Sequence, residues 1–223
     1  MNVCVMRLRL AGSLLAALSC LAACSGCLAP AGMPADQAFA LSASALAGSD
    51  RYSFSGEYTV MNEGGTMERR RQFRGEVAGH RLAALQWEAS SARQPDADGG
   101  TDPLSLMEAV QLQAAAVAYE PSGANTVALM IALKPEAARA RAVDLLRADL
   151  KASKQRDEAL QSLKATTVCR WTADRRTWFP AELKEETVLQ YRIGGAWRTQ
   201  KRASITHFRR RADSAIINQE EGH

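Results

Sequence analysis

Polar and apolar positions change period several times along the chain, and each change predicts an element. From Asp36 to Ala47 the apolar residues fall at helical spacing, with Asp36 at the start and Gly48 at the stop. At Arg51 the period drops to two. Tyr52, Phe54, Tyr58 and Val60 alternate with Ser53, Ser55, Glu57 and Thr59, which is the pattern of a half-buried strand. The turn NEGG at 62–65 leads to a second strand, TMERRRQFRGEV, and Gly79-His80 to a third, RLAALQWEA, so the chain opens as a meander. Asp102-Pro103 starts another helix, with Leu104, Met107, Val110 and Ala114 on one stripe.

TVALMIALK, residues 126–134, is apolar on both faces and predicts a central strand covered on each side. Pro135 suits the first turn of a helix whose stripe of Val143, Leu146 and Leu150 continues to about Leu163. Arg139, Arg141, Asp144, Arg147, Asp149, Lys151 and Lys154 read as its solvated face. Period two then returns in TTVCRWTA, TWFPAELKEETVLQYR and AWRTQKRASITHF, separated by turns at Asp174-Arg175-Arg176 and Gly194-Gly195. In the middle strand Leu183, Thr187, Leu189 and Tyr191 share the core face, opposite Glu182, Lys184, Glu186 and Gln190. Seven or more antiparallel strands with about three helices on one side is an α+β architecture, because the helices cover the apolar face of the sheet. No internal repeat interrupts it, ARQPDADGGTDP at 92–103 reads as a surface loop, and residues 36–223 read as one domain.

The N-terminus has a different character. Arg7 and Arg9 make a basic head, and Leu10 through Ala23 an apolar run too short to span a bilayer, so residues 1–23 read as an export signal. The run ends in Leu21-Ala22-Ala23-Cys24, which resembles the bacterial lipoprotein box. That resemblance implies cleavage before Cys24 and a covalent diacylglycerol and fatty acyl group on its thiol. Two or more acyl chains suffice for stable anchoring, at about 0.8 kcal/mol per buried methylene. Cys20 competes, but Ala17 stands where the large aliphatic residue belongs; an ordinary signal cut near Ala29 or Ala31 is the alternative. SGCLAPAGMPADQ then reads as a tether, placing residues 24–35 between anchor and domain. The expected location is the extracytoplasmic face of the cell membrane.

An anchored chain whose opening helix leads into YSFSGEYTV and QFRGEV, and which closes with CRWTADRRTWFPAEL before long strands, resembles the lipoproteins with a LolA- or LppX-like fold. The resemblance spans about two thirds of the mature chain. It implies a strongly curved antiparallel sheet, an open half-barrel, with helices closing an apolar cavity. The long charged helix after Pro135 departs from that pattern. The inward strand positions Tyr52, Phe54, Tyr58, Trp87 and Leu189 are the ligand-lining residues that the resemblance implies. Trp171, Trp178 and Trp197 also lie on predicted strands, and all these rings can equally be core.

Charge adds little. The chain has 28 basic and 24 acidic residues, and removing residues 1–23 takes Arg7 and Arg9 and no acid, so the mature excess falls to two. Nothing demands nucleic acid. Arg69-Arg70-Arg71 and Arg209-Arg210-Arg211 read as solvated strand ends, or as contacts to anionic lipid heads, wall polymers or an envelope protein. Of five cysteines only Cys27 and Cys169 remain after Cys24 is acylated, too few for a zinc site, with a bridge between them left open. His80, His207 and His223 have no ligand spacing, no nucleophile or phosphate-loop motif occurs, and Asp96, Asp98, Glu185 and Glu186 read as solvated. The expectation is a monomeric, non-enzymatic binding or carrier protein for lipid or another hydrophobic ligand. The alternative is an envelope interaction or sensor module with no cavity.

Overall fold

Period-two alternation is realised as eight strands, within the expected seven or more. The computed structural model describes residues 32–88, 110–150 and 153–210; the export signal, Cys24, Cys27, most of the tether, the 92–103 loop, the start of the second helix and Arg211 onward lie outside them. Helix α1 (Ala35–Ala47) precedes a meander of β1 (Arg51–Asn62), β2 (Met67–Ala78) and β3 (Arg81–Trp87). The chain next pairs β4 (Ala114–Glu120) with β5 (Thr126–Leu133), continues through α2 (Pro135–Asp149) and α3 (Ser153–Ser162), and finishes with β6 (Lys164–Asp174), β7 (Pro180–Ile193) and β8 (Ala196–Arg210). The eight strands form one antiparallel sheet in the order β3-β2-β1-β8-β7-β6-β5-β4, so the first and last strands are neighbours and β3 and β4 are the open edges.

Register fixes which side chains share a face. Tyr119, Leu129, Trp171, Leu183, Thr206, Gly56, Phe73 and Trp87 stand opposite one another in one row across all eight strands. The helices pack on this inner face. Phe39, Ala43 and Leu46 of α1 join a core with Tyr52, Leu129, Trp171 and Leu183, and a second core joins Ala142 and Leu146 of α2 to Ala159, Leu163, Leu189 and Tyr191. The α1 helix packs against β4 and β7, α2 against β6 and β7, and α3 against β7. The opposite face carries cross-strand ion pairs such as Arg70–Glu57 at 2.6 Å and Lys201–Glu186 at 2.7 Å, as an alternating sheet with one wet face should.

Three expectations need correction. The helix after Pro135 is not continuous: it stops at Asp149, with Leu150 extended at φ −92° and ψ 102°, and restarts at Ser153. In an unbroken helix Ala159 would lie about 220° round from Leu146, so both could not face the sheet; the break lets each half bury its own stripe. Ala114 belongs to β4 and not to the helix stripe, although residues 110–113 are helical. The strand AAAVAYE escapes sequence reading because three alanines at its start extend the preceding helical pattern without β-branched residues. Trp178 lies in the β6–β7 turn at φ 60° rather than on a strand. The turn is held from within, since Asp174 Oδ1 accepts from the Arg176 and Thr177 amides at 3.0 and 2.8 Å.

Candidate functional site

Inner-face residues of β1, β2 and β3 form an aromatic strip whose shape follows from glycine placement. Phe54 pairs across strands with Gly75, and Gly56 with Phe73. The tip of each ring reaches over the partner glycine: a methyl group at Gly75 would overlap Phe54 Cζ, and one at Gly56 would overlap the Ile205 carbonyl oxygen and come within 2.6 Å of Phe73 Cζ. Phe73 sits 6.3 Å from Phe54 and 5.2 Å from Trp87, ring centre to ring centre. Tyr52 continues the strip toward Phe179 and Phe208 at 6.3 and 6.4 Å.

The five residues singled out from the sequence therefore separate. Phe54, buried, and Trp87, half-buried, are joined through Phe73, while Tyr52 is buried against Phe179 and Phe208 in the core that also holds Phe54. Leu189 is fully buried in the other core, beneath α2 and α3. Tyr58 lies between these regions and enters a polar cluster instead.

That polar cluster was not foreseen. Arg69, Val60, Arg202, Thr187 and Thr167 occupy one row of the inner face. Arg202, 3 % exposed, donates from Nη2 to Asp149 Oδ2 at 2.7 Å, from Nη1 to the Tyr58 hydroxyl at 3.2 Å, and from Nε to Gln200 Oε1 at 2.9 Å. Arg69 Nη1 donates to the other oxygen of Asp149 at 3.1 Å. Burial raises the Tyr58 pKa, against the pull of Arg202, so the phenol keeps its proton. In the Arg202 row the Thr167 and Thr187 hydroxyls meet at 2.9 Å, and one row on Arg141 of α2 donates to both oxygens of Glu185 at 2.7 and 3.0 Å.

Two sequence readings are corrected by this cluster. Glu185 is not solvated, and the charged face of the helix is solvated only in part, because Arg141 and Asp149 point into the sheet. The signals were present: Glu185 shares parity with Leu183 and Thr187, Arg202 shares it with Thr206 and Phe208, and Asp149 falls three residues after Leu146 on the inward stripe. Arg69 also departs from a solvated strand end by pairing with Asp149, whereas Arg70 is exposed and pairs with Glu57 at the surface.

A second polar feature ties α1 to the sheet. The buried Trp171 indole donates from Nε1 to Ser42 Oγ at 2.8 Å, and Ser42 donates to the Trp178 carbonyl at 2.7 Å. Cys169 is fully buried and its thiol pKa is raised, first by desolvation and then by Glu185, which keeps it protonated and unreactive. His80 stands 3.8 Å from Asp50 and His207 3.6 Å from Glu182, both histidines largely exposed. Among the described residues no three His, Cys, Asp or Glu side chains gather as metal ligands, and no helix is long and apolar enough to cross a membrane. No family model and no curated protein matches the chain.

Proposed function

We propose that the chain is a membrane-anchored extracytoplasmic lipoprotein, acylated at Cys24, whose open sheet is a LolA/LppX-like half-barrel that binds or carries a lipid or other hydrophobic ligand. The observation that carries the reading is the aromatic strip Phe54–Phe73–Trp87 on the inner face of β1–β3, while α1, α2 and α3 pack against β4 to β7. Rings reaching over glycines offer a continuous apolar surface, which suits an acyl chain lying across strands. In this reading Tyr52 and Leu189, which have no accessible surface, shape the walls. Ligand contact falls to Phe73, Trp87 and the apolar edge of Tyr58.

The anchor supplies the setting. The diacylglycerol and fatty acyl group on Cys24 hold the domain at a bilayer from which a lipid can be taken, and no cofactor beyond that modification is invoked. The test is fractionation of cells making the wild-type chain and C24S. Wild type sediments with membranes and gains label from radioactive palmitate. The C24S chain gains no label and leaves the mature membrane-bound form. Equal labelling and equal membrane recovery of both would overturn the anchor.

A further inference from the structure

Asp149 sits in an unfavourable place for its own helix. It is the last residue of α2, where the backbone dipole presents partial negative charge and a carboxylate is disfavoured. What holds it there is the sheet. Its two oxygens are divided between guanidinium groups from two strands, Arg69 of β2 and Arg202 of β8, at 3.1 and 2.7 Å, on either side of β1. The Tyr58 hydroxyl lies against Arg202, accepts from it and retains its own proton for an acceptor. Gln200 orients Arg202 through two bonds of 2.9 and 2.8 Å and itself donates to Glu68 at 3.2 Å. Pinning a helix does not require this arrangement, since apolar side chains of similar size pin one without desolvating an arginine. Two arginines converging on one carboxylate, with a phenol hydroxyl against one of them, have the chemistry of an anion receptor.

The position of the receptor indicates what it would take. It shares the inner face with the aromatic strip, and Val60, between the two arginines, lies four residues along β1 from Gly56, beneath Phe73. Four residues of strand cover about 13 Å, well within the length of an ordinary acyl chain. Resting on the lipid-binding reading above, we propose that Arg69, Arg202 and Tyr58 form a receptor for the acidic head group of an amphiphile, and that Asp149 is its built-in competitor. A carboxylate or phosphate monoester entering with its tail toward Phe73 and Trp87 takes the place of the Asp149 carboxylate. The end of α2 is then released, and relief of the charge–dipole conflict at Asp149 offsets part of the lost ion pair.

The experiment uses the full-length protein held in amphipol and measures binding of radiolabelled palmitate and of hexadecanol, which differ only in head group, to wild type, D149N, R69Q and R202Q. Thermal unfolding of each variant verifies that it is folded. Removing the competitor should tighten palmitate by about fivefold or more and leave hexadecanol unchanged. R69Q and R202Q should bind the two probes alike; if R202Q fails to fold, R69Q gives the answer. Palmitate affinity unchanged or lower in D149N overturns the receptor, as does an equal gain for hexadecanol. Inorganic phosphate that displaces palmitate from D149N while sparing hexadecanol supports the shared anion chemistry. Phosphate that binds D149N as tightly as palmitate does overturns the head-group assignment. If both probes bind every protein equally, the receptor falls and the lipid-binding reading stands. If neither probe binds any of them, both fall.

Discussion

Ser42 stands on the apolar stripe of α1 between Phe39 and Leu46, and its hydroxyl receives the indole proton of Trp171. Removing that oxygen leaves a buried N–H without its acceptor and cuts the link to the Trp178 carbonyl. The S42A protein should therefore lose about 1–3 kcal/mol of stability in urea unfolding, with an unchanged m-value. A loss within error of zero would mean that the Ser42 bridge contributes nothing net. At this scale the sequence was readable in part. A serine among Ala38, Phe39, Ala43 and Leu46 is a polar atom on a core stripe, which forecasts a buried partner without naming it. Tyr52, Phe54 and Leu189 were readable as inward positions from alternation alone, whereas their division between two cores depends on which strands become neighbours.

Helix α3 shows what a short polar helix needs in order to stay in place. Ten residues with few apolar positions are too short to be stable alone. It is anchored at both ends of its last turns: Arg139 of α2 donates to the Leu160 and Leu163 carbonyls at 2.9 and 3.3 Å, and Glu158 accepts from the Gly194 and Gly195 amides at 2.8 Å each. Those glycines have φ of 60° and 77°, the left-handed region, so the β7–β8 turn can aim two adjacent N–H groups at one carboxylate. The Gly195 and Gly194 amides lower the Glu158 pKa below its ordinary 4.5. A lowered carboxyl favours the fold at pH above the unfolded value and loses that contribution as pH falls through the folded one. Protection of the α3 amides, taken relative to the intrinsic exchange rate at each pH, should fall on acidification below about pH 4.5 in wild type, whereas E158Q should be poorly protected at neutral pH and respond less to acid. Identical profiles would remove Glu158 as the clasp. The hairpin was legible from its glycine pair, but the clasp joins residues 36 and 37 positions apart and needs the helix break at Leu150 first.

At the scale of the molecule, one antiparallel sheet carries two kinds of inner surface. The half toward β4 to β7 is occupied by helices, and the half toward β3 carries the aromatic strip, with the Arg69–Arg202–Asp149 cluster between the two cores. The α+β class and the antiparallel meander were legible because period-two alternation is strong in β1, β7 and β8. Strand β4 and the polar cluster were not, because an alanine-rich strand has little pattern and an inward arginine is indistinguishable from an outward one until register is set. The central claim is that the inner face holds a lipid. Native mass spectrometry of the full-length protein, released gently from membranes without organic solvent, tests it most directly. The account predicts a mass excess over the acylated chain that corresponds to one bound amphiphile, is lost on solvent extraction, and is reduced in F73A and W87A. A protein that carries no such excess, and takes up none on incubation with the extracted membrane lipids, would contradict it.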